Sequence, residues 1–393
     1  MDLGRYEGGV RHNGRQTPQR DHARQVESAS VDSVVEADIE ATGMEAVRSF
    51  QQAAAAPNTR RGYATDLRAF SEWCARNGVD PLPAEPETVA RYLAESANLR
   101  DDEKGGYFYA PTTLQRWLAS INKAHHLIGA PKPGAHAEVA LTMAGIRRER
   151  ARREDKKAPL LVSDLRRVVG EIDLSSWPRG VIGHRDMALL ILGFAGAYRR
   201  SELADIQLGD VYVHEDDGLH ILLRHSKTDQ DSEGLIKALP YGANPASCPP
   251  CAYARWVRVL EAAQRSRAEV MKLVMAADLD RHVCRKALPE RQALDSAMPL
   301  FRPVMKNGAI ADRPISGNVV NTVVQLRVAE AGLNPAAFGG HSLRAGFVTQ
   351  AARNGASTVE IMKQTGHRDE GTVTGYIRES HPLRGNAVLK VGL

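Results

Sequence analysis

Cysteine is scarce in this sequence, and long apolar runs are missing. Four cysteines in 393 residues are too few for a disulfide framework, and the opening MDLGRYEGGVRHNG lacks the apolar core of a signal peptide. The expected compartment is a reducing cytoplasm. No uninterrupted apolar stretch approaches the roughly 18 residues of a membrane span, and the mean hydropathy is −0.35, so a soluble chain with no membrane partner is expected. Charge of one sign is also in short supply. Against 52 Lys and Arg stand 47 Asp and Glu, a net of +5, which permits nucleic acid as a partner without demanding it. Neither a Gly-x-x-x-x-Gly-Lys-Ser/Thr phosphate loop nor a carboxylate cluster suited to magnesium is present, so the residues imply neither an ATP site nor a magnesium site.

What the chain does have is length and apolar material. With 43% hydrophobic residues, 393 positions predict two or three domains. Residues 1–45 are polar and without period, and read as a disordered arm. Beyond them Tyr63, Leu67, Phe70 and Cys74 recur at helical spacing up to a stop at Asn77-Gly78. Further helices are expected after Pro86, from Thr112 to Gly129, and from Ala135 to Arg147, which together make a compact helical domain over 46–147. RRERARREDKK, with seven basic and three acidic residues, begins a basic linker over 148–159. A run of this kind reads equally as a solvated helix end or as a phosphate-neutralising connection.

Residues 160–380 predict a second, mainly helical domain. Ser163 is expected to cap a helix over Asp164–Val169, and an apolar helix is expected over Arg185–Tyr198. A hairpin of His220–Arg224 and Leu235–Leu239 should hold the polar loop HSKTDQDSEG between its strands. Helices should follow over Ala252–Ala277, Ser316–Ala331, Ser342–Asn354 and Thr358–Gln364, the last with a capping box of Ser357 and Glu360. Cys248-Pro-Pro-Cys251 has the spacing of half a zinc site that His282 and Cys284 could complete, and it also reads as a turn before a helix near Tyr253.

Three clusters carry chemistry: Gly196-Ala-Tyr-Arg199-Arg200-Ser-Glu202, His341-Ser-Leu-Arg344 after two glycines, and Gly366-His367 with Tyr376 nine residues on. Lys227 lies in the hairpin loop. Singly, an Arg–Glu pair reads as a surface salt bridge, a late tyrosine as core and a loop lysine as solvated. Together, two arginines, two histidines, a lysine and a tyrosine form a coherent set for phosphoryl transfer.

In that order the residues resemble the tyrosine recombinase (phage integrase) family, in its simple Cre/Xer-like branch. The family pattern of Arg, Lys, His-x-x-Arg, His or Trp, and Tyr is met by Arg199, Lys227, His341 with Arg344, His367 and Tyr376. The resemblance spans about residues 50–385. It implies a mainly α fold, with a four-helix, SAM-like core-binding domain and an α+β catalytic domain of the DNA breaking-rejoining type with a small sheet. It further implies that Tyr376 attacks a DNA phosphate to give a 3′-phosphotyrosyl intermediate, without ATP, metal or other cofactor. Strand exchange would proceed through a Holliday junction.

On that pattern Arg199 and Arg344 would neutralise the phosphate, His341 would accept the tyrosine proton and Lys227 would protonate the leaving oxygen. His367 would donate to the phosphate, and Glu202 would hold Arg199 or His341. The implied partner is double-stranded DNA bearing inverted repeats, bound by a homodimer per site and a homotetramer in the synapse, with residues 381–393 docking on a neighbouring subunit.

Two departures stand out. Gly196-Ala-Tyr-Arg199 replaces the usual Thr-Gly-Leu-Arg, leaving Arg200 as the alternative arginine, although Glu202 three residues on favours Arg199. Thr365 replaces a common Leu, read as a packing difference that leaves the chemistry untouched. DNA specificity is expected from Arg60, Arg61, Arg116 and Lys123 in the first domain, and from Lys306 and Asn318 in the second. The alternatives are a type IB topoisomerase-like relaxing enzyme and a catalytically inactive DNA-binding relative.

Overall fold

The structure, a computed structural model, describes residues 57–101, 103, 105–150, 157–224, 234–284, 294–380 and 387–391. The arm over 1–45, half of the basic linker, Lys227 and most of the 381–393 tail lie outside the described residues. The chain divides into two compact units at residues 154/155. Among the described residues no helix is long and apolar enough to cross a membrane.

The first unit contains α1 (Pro57–Asn77), α2 (Pro86–Asn98), α3 (Pro111–Leu127) and α4 (Ala137–Glu149). Proline opens α2 and α3 at the first helical position, where its missing N–H costs nothing. Their apolar faces meet in one core of Phe70, Val89, Tyr92, Leu93, Leu114, Trp117, Ile121 and Met143. Tyr92 stacks on Trp117 with ring centroids 5.5 Å apart. A two-stranded ribbon, β1 (Arg100–Asp101) with β2 (Gly106–Tyr107), joins α2 to α3. It is too short to leave an alternating pattern in the sequence.

In the second unit, α5 (Val162–Gly170) is followed by α6 (Arg179–Ala195) and the short α7 (Arg200–Ala204). Ser163 lies inside α5 and does not cap it; the Asp164 carboxylate instead accepts from the Leu161 N–H at 3.4 Å. The central helix also differs from expectation, beginning six residues earlier and ending before Tyr198. Gly180 and Gly183, poor helix formers, hide its start. Its end is set by Ala197, whose φ of +48° is left-handed.

α6 is buried on nearly every side, from Val181 through Met187 to Leu192, as expected for a helix at the centre of a domain. It is tied to α10 (Gly317–Glu330) by the buried Asp186 carboxylate. One oxygen takes Arg185 Nη2 at 2.6 Å and the other takes Arg327 Nη2 at 2.8 Å. Removing one partner from such a group costs about 3–5 kcal/mol, because a charge is left buried and alone.

The expected hairpin is part of a three-stranded antiparallel sheet in the order β3–β4–β5: Val211–His214, Gly218–Leu223 and Leu235–Leu239. The expected helix over Ala252–Ala277 is two helices, α8 (Pro249–Arg265) and α9 (Arg267–Met275). The break falls at Ser266, whose hydroxyl caps the second by accepting from Glu269 N–H. α8 starts four residues ahead of Tyr253 because both prolines fit its first turn.

The remaining helices are α11 (Gly340–Arg353), α12 (Thr358–Thr365) and α13 (Glu370–Ser380). The capping box of Ser357 and Glu360 is formed, and Gly366 ends α12 with a left-handed φ of +68°. A β-carbon on Gly346 of α11 would stand 1.9 Å from the Leu160 carbonyl oxygen. Only glycine lets the segment that enters this unit lie so close against α11.

Candidate active site

α11 and α13 bring His341 and Tyr376 together. The Tyr376 hydroxyl and His341 Nε2 are hydrogen-bonded at 2.5 Å. The tyrosine ring packs beside Val348, Ala352, Ile361 and Val373, which fixes its direction. One helical turn along α11, Arg344 is buried although it carries a guanidinium. Its Nη1 donates to the Ala197 carbonyl at 2.7 Å and its Nη2 to His367 Nε2 at 2.9 Å.

Arg199 reaches the same region from the other side. Its backbone N–H and its Nη1 both bond to Glu202, at 2.9 and 2.5 Å. Glu202 therefore holds Arg199, and of the two alternatives Arg199 is the arginine in the cluster. Arg200 is exposed and lies against Gly317 and Gly340. The turn before Arg199 is strained, since Ala197 takes the left-handed conformation at the position where the usual pattern has glycine, at a cost of roughly 1–2 kcal/mol.

Two functional side chains escaped the sequence reading. Thr365 is buried, and its hydroxyl donates to the Ile361 carbonyl at 2.8 Å while its oxygen faces His367 Nδ1, also at 2.8 Å. His367 accepts from Arg344 through Nε2, so its proton sits on Nδ1 and is donated to Thr365. The departure at 365, read as packing alone, thus supplies the acceptor for the tautomer that Arg344 imposes. In this state Nε2 is an acceptor, whereas His367 is expected to donate to a phosphate.

The second is Lys237 on β5, 1% exposed, which donates to the Gly196 carbonyl at 2.6 Å. Its ammonium lies 4.6 Å from the centre of the Tyr198 ring. Lys237 and Arg344 thereby grip two neighbouring carbonyls of the turn that presents Arg199. The signal was in the alternation of Leu-Ile-Lys-Ala-Leu, which places Lys237 on the same strand face as Leu235 and Leu239.

The electrostatics follow from burial and crowded cations. Burial, then Arg344 and Arg199, push His341 below 6.5, and the same influences push His367 down to about 4. Both imidazoles are neutral at pH 7, and His341 is free to accept a proton. Arg344, lowered to about 10 by burial and by Arg199, stays charged. Burial, with Arg344 and Arg199 adding to it against the opposing pull of Glu202, lowers Lys237 to about 7.

An unfolded histidine takes up its proton near pH 6.5, whereas His367 in the fold resists until about 4. Between those values the unfolded chain binds more protons, so stability falls as pH drops through that window. The thermal midpoint should decline from pH 6.5 towards 4, and His367→Gln should flatten part of that decline. Calorimetric scans across the window measure both; equal slopes for the two proteins would contradict the assignment.

The expected DNA-contacting residues are dispersed. In the first unit Arg60 and Arg61 are exposed in the first turn of α1, and Lys123 is exposed on α3. Arg116 is committed to the buried Asp66, with contacts of 2.6 and 2.7 Å, and so has a structural task. In the second unit Lys306 and Asn318 are exposed.

Residues 251–381 match the model of the phage integrase family. The chain is 33% identical over 336 residues to an integrase/recombinase XerD homologue of Selenomonas ruminantium, covering 85% of each. It is 25% identical over 324 residues to the recombinase Cre of Escherichia phage P1, covering 79% of this chain and 81% of that one. Among solved structures it is similar to the XerH site-specific recombinase in a post-cleavage complex with palindromic difH substrate. That likeness has a TM-score of 0.53 and 14% identity, covers 84% of this chain and 79% of the other, and speaks to the fold.

Proposed function

Because this chain belongs to the phage integrase family of tyrosine recombinases, we propose that it is a site-specific DNA recombinase in which Tyr376 is the nucleophile. The observation that carries this reading is the 2.5 Å hydrogen bond between the Tyr376 hydroxyl and His341 Nε2, beside two guanidiniums.

The tyrosine oxygen attacks a backbone phosphorus, its proton passes to the neutral His341, and the bond from phosphorus to the 5′ oxygen breaks. Tyrosine is a weak nucleophile at its free pKa of about 10, and an adjacent base removes that handicap. Arg344 and Arg199 stabilise the charge that gathers on the phosphate, where a planar fork of donors is better suited than a point charge. The departing oxygen needs a proton, and Lys227 is its proposed source. Glu202, Lys237 and Thr365 are positioning residues, the first two for Arg199 and the third for His367. The phosphotyrosyl bond keeps the energy of the broken linkage, so a second 5′ hydroxyl rejoins the strand without ATP.

The partner is double-stranded DNA, with the helical unit over 57–149 contributing exposed cations and the second unit the chemistry. Inverted-repeat sites bound by two chains, and four chains in the synapse, are part of this proposal.

A type IB topoisomerase would share the chemistry but would only relax DNA. Incubating the protein with a plasmid carrying two copies of its site should yield deletion or inversion products. Relaxed circles without rearranged products would replace this reading with the topoisomerase one.

A further inference from the structure

We propose that Cys248, Cys251, His282 and Cys284 form a structural zinc(II) site. The ligand atoms of the four residues all lie within 4.8 Å of one another. A tetrahedral zinc with bonds of about 2.3 Å to sulfur and about 2.0–2.1 Å to nitrogen needs donors separated by roughly 3.5–3.8 Å. His282 Nδ1 is 3.3 Å from Cys251 Sγ and 3.9 Å from Cys284 Sγ. The three cysteines are buried and free, and His282 is half-buried at the edge of the group.

The surroundings are those of a ligand set. His282 Nε2–H donates to the Ala243 carbonyl at 3.3 Å, which leaves the Nδ1 lone pair facing the sulfurs. The Gly242 N–H donates to Cys248 Sγ at 3.3 Å, a contact that favours a thiolate. Cys251 stands in the first turn of α8, where the exposed N–H groups also favour negative sulfur.

Arg255, one turn further along α8 and buried, is held between the two ligand-bearing segments. It donates to the Pro245 carbonyl on one side and to the Asp278 and Arg281 carbonyls on the other, at 3.0–3.1 Å. Those segments are therefore pinned together independently of an ion.

Binding would release three thiol protons and leave the site one negative charge, since three thiolates exceed the dication by one. The Arg255 guanidinium makes no ion pair among the described residues and supplies the compensating charge. All four positions are filled by protein, which is the pattern of a closed structural site with no place for a reacting water. The ion would cross-link the chain leaving β5 to the chain leaving α9. β5 carries Lys237, so the brace stabilises the strand that supports the Arg199 turn.

The test uses the full chain purified under reducing conditions without chelator. Elemental analysis should find about one zinc per chain. Cobalt(II) exchanged into the wild-type protein should give the visible bands and thiolate charge-transfer absorption of a tetrahedral sulfur-rich site. Removing the metal should lower the thermal midpoint, and zinc should restore it. Cys251→Ser should lose the metal. If that variant does not fold, the wild-type cobalt spectrum still decides. Protein that carries no zinc and develops no such bands on cobalt titration overturns the site, as does a Cys248–Cys251 disulfide found by mass spectrometry under the same conditions.

Discussion

Tyr376→Phe should abolish the covalent protein–DNA adduct while leaving DNA binding in place. The substitution deletes one oxygen and nothing else. The ring still packs beside Val348, Ala352, Ile361 and Val373, so the helix that carries it keeps its seat. What is lost is the nucleophile and the 2.5 Å bond to His341. Loss of a residue that forms the covalent bond reduces turnover on the order of 10⁴-fold or more. A nicked suicide substrate, which traps the adduct because the released fragment diffuses away, gives the measurement on a denaturing gel. Adduct at the wild-type level from Tyr376→Phe would place the nucleophile elsewhere. Loss of DNA binding together with the adduct would indicate damage to the fold.

Arg344→Lys should be nearly as severe, reducing the rate of adduct formation on the order of 10³-fold or more. The charge survives, but the fork does not. One ammonium cannot serve the Ala197 carbonyl, His367 Nε2 and a phosphate at once, and the present guanidinium already bonds the first two. Arg344→Ala should fall further and should also lose about 1–3 kcal/mol of stability, because the carbonyl and the imidazole are left without a buried partner. Comparing single-turnover rates with thermal midpoints separates the two effects. Full activity in Arg344→Lys would mean that only charge, and not geometry, is used at this position.

Much of this site was legible in the sequence because its residues sit in short local patterns. His341 and Arg344 are three apart and therefore share a helix face. Ser357 and Glu360 fixed the start of α12, and the alternation of Leu235 to Leu239 fixed β5 at both ends. The failures have physical causes. β3 is four residues long and offers too little period to read. The break at Ser266 interrupts a stretch whose apolar positions continue smoothly on either side, so one helix was expected where a serine cap starts a second. Lys237 leaves little signal in the sequence, because lysine is normally solvated and only the alternation of its strand marks it as buried.

Thr365 is obscure for the opposite reason: a small polar residue in place of leucine looks neutral until the neighbouring imidazole is placed. The four proposed metal ligands lie in two pairs separated by about thirty residues, so the sequence offers them only as a half site with a possible completion, and the fold brings their ligand atoms together. Lys227 is outside the described residues, and its role rests on the resemblance of its loop.

The bond between His341 and Tyr376 joins two helices of one and the same polypeptide, and Arg344 and His367 come from that polypeptide too. On the proposed mechanism, the nucleophile, its base and one phosphate-binding guanidinium are therefore supplied by the same polypeptide. If the cut is made by residues of one polypeptide, a chain lacking Tyr376 and a chain lacking Arg344 should not repair one another when placed side by side.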